Sequence, residues 1–380
     1  MNRVAAWREA RNILVVRLDN LGDVVMTTPA LTAIRHAAPD VRLTLLTSRA
    51  GAAARQHLPV IDDAIVYGAP WVKGAPSSPR GLQADQRMIS RLARERFDAA
   101  IIFTVCTQSA LPAAMLCRLA GIPLRLAHSR ENPYDLLTDW VHDTEVCETG
   151  MRHEVERQLA LVRSVGFHAD DEHLLFRYRV NDVLNMRRKF EQAGGDLRRP
   201  YVVVHPGASA ASRRWPAARF GTAADAIAAT TDCQVVFTGG RGEDALVAEA
   251  QAGMHQPGFS LAGQLTLGEL AALIAGAQVT LCNNSGPAHI AAAVGAPVVV
   301  LYALTNPQHT PWKGKSRVLN HDVPCRNCLK SACPDAQHPC LNLVQSDEVS
   351  DAALEMISAL PGVPVHRLPT PAQMTMAVAS

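Results

Sequence analysis

The stretch that decides the fold is ILVVRLDNLGDVVMTTPALTAIRHAA, residues 13–38. The apolar run Ile13–Val16 has the length of a buried strand, and Val24–Ala38 has the apolar spacing of a helix. The loop between them contains Gly22, which permits a tight turn, and Asp23, which falls at the expected helix start. A buried strand joined to a helix in this way is the repeating unit of a parallel α/β sheet.

The same unit recurs along the chain. Short apolar runs predict further strands at residues 43–47, 64–67, 99–103, 201–204, 234–238, 278–282 and 298–301. Helical patterns separate them at residues 49–57, 82–96, 216–229, 243–252, 267–275 and 287–294. Because the alternation stops and restarts near residues 194–200, we predict two Rossmann-like parallel-sheet domains that face a central cleft.

The chain has 380 residues, enough for two domains. We expect an N-terminal Rossmann-like domain at 1–195 and a C-terminal Rossmann-like domain at 196–346, which includes a cysteine cluster at 325–340. A helix at 347–360 and a Pro-containing tail at 361–380 follow.

Composition excludes several classes of protein. A hydrophobic share of 48% with 19% charged residues is typical of a globular chain. The net charge of +2 gives no support for nucleic-acid binding. No run approaches the ~20 apolar residues of a membrane span or resembles a signal peptide, which predicts a cytoplasmic protein with reduced thiols. Five isolated cysteines are expected in the core: Cys106, Cys117, Cys147, Cys233 and Cys282.

Loops that follow the strands are expected to carry the chemistry. In the first loop, Asp23 is either a helix cap or a carboxylate that takes a proton from an acceptor hydroxyl. If Asp23 takes the proton, Arg17 and Asn20 are expected to face the acceptor.

The loop after residues 201–204 suits a diphosphate. Gly207 lets a ligand approach the backbone, Ser209 offers a hydroxyl, and the pair Arg213 and Arg214 adds positive charge. The alternative is a solvated basic loop. Glu243, after glycine-rich residues 239–242, is expected either to accept hydrogen bonds from ribose hydroxyls or simply to start its helix.

A third loop, residues 283–289, also suits a phosphate. Ser285 is a candidate helix cap, Gly286 exposes backbone amides, and His289 lies in the first helical turn, with a purely structural histidine as the alternative. No Gly-x-Gly-x-x-Gly follows the first strand, which disfavours a dinucleotide-dependent dehydrogenase.

In their order and spacing, these loops resemble those of the lipopolysaccharide heptosyltransferases, glycosyltransferase family nine. The resembling motifs are residues 21–24 with 28–30, residues 205–216, and residues 284–289. The resemblance implies a GT-B fold and an inverting transfer in which Asp23 is the base and Arg213 stabilises the leaving diphosphate. It also implies that the domain at 1–195 binds the acceptor, that the domain at 196–346 binds the nucleotide-sugar, and that the C-terminal helix packs back on the first domain.

The remaining implied roles concern the nucleotide-sugar. The residues expected to contact it are Ser209, Glu243, Asn284, Ser285, Gly286 and His289. The chain has Arg213 at the position where members of the family it resembles have Lys, and it has Asn284 where they have Asp.

We therefore expect transfer of heptose from ADP-heptose to a lipid-linked glycan at the inner membrane surface, with no cofactor required for transfer. The alternatives are transfer of another nucleotide-activated sugar, and a non-catalytic nucleotide-sugar-binding partner protein. The loop at residues 68–81, with Trp71 and Lys73, is either a membrane contact or a solvated loop.

Four cysteines cluster near the end of the chain: Cys325, Cys328, Cys333 and Cys340. Their proximity suits a structural zinc or iron ion, although the spacing is irregular for a zinc ribbon. Reduced thiols and disulfides are the alternatives.

Overall fold

The computed structural model describes residues 3–72, 81–145 and 151–359, which form two compact units, Met1–Leu175 and Phe176–Ser380. Each unit contains one six-stranded sheet, and every strand pairing among the described residues is parallel. α-Helices separate most consecutive strands of each sheet, whereas short 3-10 turns lie between β5 and β6 and between β11 and β12.

The first unit contains strands β1 to β6 and helices α1 to α7. The strands are β1 Asn12–Arg17, β2 Arg42–Thr47, β3 Asp63–Val66, β4 Ala99–Ile102, β5 Leu124–Ser129 and β6 Asp139–His142. The helices are α1 Arg3–Glu9, α2 Leu21–Met26, α3 Thr28–Ala37, α4 Arg49–Ala52, α5 Gly81–Glu95, α6 Leu111–Leu119 and α7 Glu154–Arg163. The sheet order is β3-β2-β1-β4-β5-β6.

The second unit contains strands β7 to β12 and helices α8 to α14. The strands are β7 Tyr201–His205, β8 Gln234–Phe237, β9 Gly258–Ser260, β10 Val279–Asn283, β11 Val298–Leu301 and β12 Ser316–Leu319. The helices are α8 Val180–Gln192, α9 Ala217–Thr230, α10 Asp244–Ala252, α11 Leu267–Gly276, α12 Gly286–Ala293, α13 Pro339–Asn342 and α14 Ser346–Ser358. The sheet order is β12-β11-β10-β7-β8-β9.

The two sheets have the same topology. When β7 to β12 are counted from the start of their own unit, both sheets read 3-2-1-4-5-6, the doubly wound order. The order reverses between β1 and β4 in the first sheet and between β7 and β10 in the second. Doubly wound sheets bind ligands in the crevice at this reversal, beyond the carboxyl ends of the strands.

The predicted two-domain α/β fold is confirmed, and most predicted strands match within two residues. The predicted helix Val24–Ala38 is two helices, because the backbone breaks at Thr27 and Pro29 lies in the first turn of α3. The sequence analysis missed β5, β6, β9 and β12. Strand β5 contains the buried Arg125, whose guanidinium donates to backbone carbonyls, so its apolar pattern is interrupted.

The predicted division at residues 195/196 falls after α8, whereas the compact units divide at Leu175. Helix α8 belongs to the second unit because Lys189 forms an ion pair of 2.7 Å with Glu269 on α11, and Phe190 packs edge-on against Phe259.

The predicted C-terminal helix is α14, which lies in the second unit, and its packing against the first domain stays a prediction. Its buried face, Val349, Ala352 and Ala353, joins the core of the second sheet. The predicted tail at 361–380 lies outside the described residues, as does Cys147. The other four isolated cysteines are buried, as expected.

Candidate active site

The first candidate group lies where β1 ends and α2 begins. Asn20 precedes the helix, and the Oδ2 atom of Asp23 accepts the backbone N–H of Asn20 at 3.0 Å. Asp23 therefore acts as a cap, one of its two predicted roles. Its side chain keeps 14% of its surface exposed, and a carboxylate has lone pairs beyond those used in one hydrogen bond. Capping thus leaves room for a second role.

Arg17 lies beside Asp23 and is fully buried. Its guanidinium is 2.8 Å from Glu154, 3.1 Å from Asp19 and 3.3 Å from Asp23, measured between the closest nitrogen and oxygen atoms. Burial alone would lower the pKa of Arg17, but these three carboxylates outweigh burial and raise it. Arg17 is therefore a permanent cation that holds three carboxylates together.

The structure places Arg17 differently from the sequence prediction. We expected it to face the acceptor, but its side chain has no exposed surface, because its donors point at the carboxylates on either side. Asn20 is exposed at this edge of the sheet, where the prediction put it. Sequence reasoning missed Glu154, which begins α7 and reaches Arg17 across 137 residues, since no local motif connects them.

A second group of buried charges lies beyond β4 and β5. Arg157 donates to both carboxylate oxygens of Asp143 at 2.9 and 3.0 Å and to the backbone carbonyl of Thr104 at 3.1 Å. His128 shares a hydrogen bond of 3.1 Å with the carbonyl of Arg157, so the ring nitrogen Nε2 carries the proton. Burial lowers the pKa of His128 to about 4, and the ring is neutral at physiological pH.

In the second unit, the loop after β7 approaches the glycine-rich loop after β8. A Cβ atom on Gly207 would lie 2.3 Å from the Oε2 atom of Glu243, so only glycine leaves room for that carboxylate. The same oxygen accepts the backbone N–H of Gly240 at 2.6 Å and lies 3.8 Å from His205. Burial lowers the pKa of His205, and Glu243 opposes this effect.

Asn283, at the end of β10, joins the loops on either side of the order reversal. Its amide donates to the carbonyl of Pro206 at 2.8 Å and accepts the backbone N–H of Trp215 at 3.0 Å. The side chain is fully buried. Sequence reasoning placed Asn283 in a motif but assigned it no role; its position at the last residue of a strand was the available signal.

Arg213 and Arg214 follow the same loop but differ in their contacts. The Nε atom of Arg214 donates to the carbonyl of Ala208 at 2.7 Å, so this arginine stabilises the loop. Arg213 is half-buried, and its side chain has no hydrogen bond or ion pair with any residue that the structure describes. Ser209 is exposed. Of these two arginines, Arg213 is therefore the one whose guanidinium can donate hydrogen bonds to a ligand.

Helix α12 begins at Gly286, three residues after Asn283. Ser285 occupies the N-cap position with extended backbone, and its hydroxyl donates to the carbonyl of Asn283 at 3.3 Å rather than capping the helix. Ser285 and Gly286 are half-buried, whereas His289 is buried. Asn284 is 2% exposed and donates to Asn306 at 3.3 Å, so its amide points into the protein.

The four clustered cysteines line one pocket of about 50 Å³. Cys325 is exposed, Cys328 and Cys333 are half-buried, and Cys340 is buried. In the part of the chain that the structure describes, no three His, Cys, Asp or Glu side chains are close enough to hold a metal ion. The arrangement as it stands does not fit the predicted zinc or iron.

The cysteine segment is attached to the loop that precedes Arg213. The backbone N–H of Ser212 donates to the carbonyl of Ser331 at 3.1 Å, and its hydroxyl donates to the carbonyl of Lys330 at 2.7 Å. The segment therefore braces the loop that carries the unpaired arginine.

Comparison with known proteins identifies relatives of this chain. The sequence model of glycosyltransferase family 9 (heptosyltransferase) matches residues 86–338. Lipopolysaccharide heptosyltransferase 3 of Escherichia coli is 27% identical over 299 residues, which are 77% of this chain and 83% of that protein.

Solved structures share the fold. A family 9 glycosyltransferase of Veillonella parvula has a TM-score of 0.74 at 22% identity, with 92% of this chain and 97% of that chain covered. The ADP-heptose lipopolysaccharide heptosyltransferase II of E. coli has a TM-score of 0.70 at 21% identity, with 91% and 98% covered. Among the described helices, none is long and apolar enough to cross a membrane.

Proposed function

Because the chain belongs to glycosyltransferase family 9, the heptosyltransferases, and has their GT-B fold, we propose that it transfers heptose from ADP-heptose to a lipopolysaccharide-core acceptor. The observation that carries the proposal is the unpaired Arg213 in the loop that Asn283 joins to the start of α12. This would place a cation and the backbone N–H of Gly286, at the start of a helix, at the order reversal of one sheet, where an anionic ligand would bind.

The diphosphate of the donor would lie against this edge of the second sheet. Arg213 would supply charge-assisted hydrogen bonds, and Ser209 and Ser285 would supply hydroxyls. The backbone N–H of Gly286, at the start of α12, would complete the cradle, with His289 in the same helical turn. Glu243, held beside Gly207, would accept hydrogen bonds from the ribose. Asn284 points inward, so we assign it support of the loop through Asn306 rather than direct contact.

The chemistry would begin at Asp23. Its carboxylate takes the proton of an acceptor hydroxyl, and the oxygen attacks the anomeric carbon of the donor from the face opposite the diphosphate. The new C–O bond forms as the bond to the phosphate oxygen breaks, ADP leaves with the electron pair, and the configuration inverts. Arg213 stabilises the charge that develops on the leaving group, which makes a metal unnecessary for this step.

The cysteine cluster has a structural role in this proposal. Through Ser212 it braces the loop of Arg213, whether or not the thiols hold a metal ion. A structural zinc or iron ion requires the four thiols to move closer together, and elemental analysis of the purified protein is the direct check. A metal content well below one per chain would leave reduced thiols as the account of the cluster.

The experiment that tests the function measures both nucleotide binding and turnover. Calorimetric titration with ADP, UDP and GDP should show a preference for ADP, and ADP release from ADP-heptose should require a lipopolysaccharide-core acceptor. A preference for UDP or GDP would still support a glycosyltransferase, but one whose donor is a UDP-sugar or a GDP-sugar instead of ADP-heptose. Strong ADP binding without transfer to any core acceptor would favour a nucleotide-sugar-binding partner protein instead.

A further inference from the structure

Helix α5 of the first unit presents a row of arginines to solvent. Arg87, Arg91 and Arg94 are exposed, and their spacing of four and three residues places them on the same side of the helix. None of them forms an ion pair or a side-chain hydrogen bond with a residue that the structure describes. The two acidic residues of the helix, Asp85 and Glu95, are half-buried, so the exposed side of α5 carries positive charge alone.

This row is fixed to the outside of the unit although it is unfavourable by itself. Met88 and Leu92 on the opposite side of α5 are buried in the core of the first sheet. Like charges at this spacing repel each other and destabilise a helix. The loop before the helix, whose residues 73–80 lie outside the described part of the chain, adds Lys73 and Arg80 to the sequence and no acidic residue. Such a basic surface favours an anionic partner.

Exposed apolar side chains lie on the same face of the unit. Helices α5 and α6 pack against each other and share one core cluster, so both cover the same face of the first sheet. On α6, Met115 and Leu119 are one turn apart and exposed, Leu119 by 59%. The 3-10 turn at Tyr134–Leu136 packs on α6, and Tyr134 is 83% exposed. The face therefore combines cations with large apolar groups that water surrounds.

An anionic lipid surface fits this combination. Its negative surface potential attracts Arg side chains, and its interfacial region accepts Leu, Met and Tyr side chains. A nucleic acid would meet the arginines through its phosphates, but its sugar-phosphate backbone would leave Met115 and Leu119 in water. The apolar groups therefore favour the lipid surface over a soluble polyanion.

We propose that the α5–α6 face docks on an anionic lipid surface, with Arg87, Arg91 and Arg94 on the phosphate groups and with Leu119 and Tyr134 at the level of the headgroups. The arginine row covers two helical turns, about 10 Å along the axis, so the contact is an attachment to the surface. This inference goes beyond the proposed function, because docking requires neither donor nor acceptor. It would hold the chain where a lipid-linked acceptor lies.

Co-sedimentation of the full chain with vesicles tests the docking. The wild type should bind vesicles that contain phosphatidylglycerol more tightly than vesicles of phosphatidylcholine alone. Binding should weaken when the salt concentration rises from about 50 mM to about 500 mM, because salt screens exposed charges. The triple variant Arg87→Gln/Arg91→Gln/Arg94→Gln should lose about 100-fold in affinity, roughly fivefold for each charge, while glutamine keeps the helix propensity.

Matched variants control for total charge and for exposed leucine. The triple variant Arg187→Gln/Arg188→Gln/Arg198→Gln removes three exposed charges of the second unit and should bind as the wild type does. Leu119→Ala should weaken binding by about fivefold, because part of its apolar surface would return to water. Leu184→Ala, at a leucine of α8 that is 52% exposed, should have no effect.

Three results would overturn the inference. One is equal binding to the two kinds of vesicle, and another is equal binding by the two triple variants. The third is tighter binding to a short duplex DNA than to the vesicles, lost in the α5 triple variant, which would assign the row to nucleic acid. ADP release with a water-soluble, delipidated core acceptor separates this inference from the proposed function. That rate should be the same for the wild type and the α5 triple variant, and its absence in the wild type would count against the proposed function alone.

Discussion

The order reversals of the two sheets have the same topology and opposite electrostatics. In the first, the guanidinium of Arg17 is buried among three carboxylates, and one of them, Asp19, lines a pocket. In the second, Arg213 has no ion pair within the described residues, and helix α12 begins after β10 at the same edge, where its dipole adds positive potential. One edge is suited to accept a proton, and the other is suited to hold an anion.

Each reversal also has a side-chain amide that joins its two loops. Gln108 donates to Asp19 at 2.7 Å in the first unit, and Asn283 donates to the carbonyl of Pro206 at 2.8 Å in the second. The amide of Gln108 donates to a charged side chain that faces a pocket, whereas the amide of Asn283 is buried and donates to the backbone. A side-chain amide therefore orients the carboxylate of Asp19 in the first unit and supports the loop after β7 in the second.

The largest expected effect is at Asp23. In Asp23→Asn, the amide oxygen can still accept the backbone N–H of Asn20, but it can no longer take a proton, so kcat should fall by about 10²–10⁴-fold. ADP affinity should stay within about twofold, because the nucleotide would lie on the other unit. Quench-flow or ADP-release kinetics measure the first quantity and calorimetry the second. Turnover above a few per cent of wild type would mean that the base is another group.

The second prediction concerns the buried charges of the first unit. His128 is neutral when folded, with its pKa lowered by burial from 6.5 to about 4, so the unfolded chain binds the extra proton between these values. The free energy of unfolding should therefore decrease as the pH falls through this interval, by up to ~3 kcal/mol from His128 alone.

The variant His128→Gln isolates that contribution. Its amide can donate to the carbonyl of Arg157 and does not titrate, so its unfolding free energy should depend less on pH between about pH 6.5 and 4. The buried His205 of the second unit also has a lowered pKa, but it is unchanged in both proteins and cancels from the difference. Urea unfolding at several pH values measures the slopes. Equal slopes for variant and wild type would show that His128 is not held neutral by burial.

The third prediction tests the positive edge. Arg213→Ala removes a cation that no described carboxylate holds, so the fold should be unaffected, while the Kd for ADP should rise by about 10–100-fold. Arg213→Lys keeps the charge without the planar fork of donors and should recover part of the affinity. Arg188→Ala, on exposed helix surface, is the matched control. Calorimetric titration that gives the same Kd for Arg213→Ala and Arg188→Ala would remove Arg213 from the donor site.

The sequence predicted the fold well because its signals are local. Short apolar runs and helix starts such as Ser285 are read from a few adjacent residues. The Arg17 cluster was misread because Glu154 is distant in sequence, and an arginine that follows a strand resembles a ligand contact until its partners are known. Strand β5 was missed because Arg125 is buried by donating to backbone carbonyls, a contact that only the folded chain creates. Tertiary contacts decide such positions.

The smallest expected effect separates support from contact at the positive edge. In Gly207→Ala, the new Cβ would meet the carboxylate of Glu243, the mobile end of a side chain, so Glu243 should move at little expense to stability. If that carboxylate holds the ribose, the KM for the donor should rise about fivefold, while the KM for the acceptor and Tm stay near wild type. Gly81→Ala is the control, since a Cβ there meets no atom of the described residues within 4 Å.

A double-mutant cycle tests whether Gly207→Ala acts through Glu243. If Gly207→Ala acts only by displacing Glu243, then adding it to Glu243→Ala should raise the donor KM no further, because residues that share one contact are not additive. Steady-state kinetics of the two single variants and the double variant give the coupling. Additive effects would mean that Gly207 contacts the donor through its own backbone. A donor KM unaffected by Glu243→Ala would confine that carboxylate to its hydrogen bond with Gly240 and make it a support of the loop, as Asn283 is.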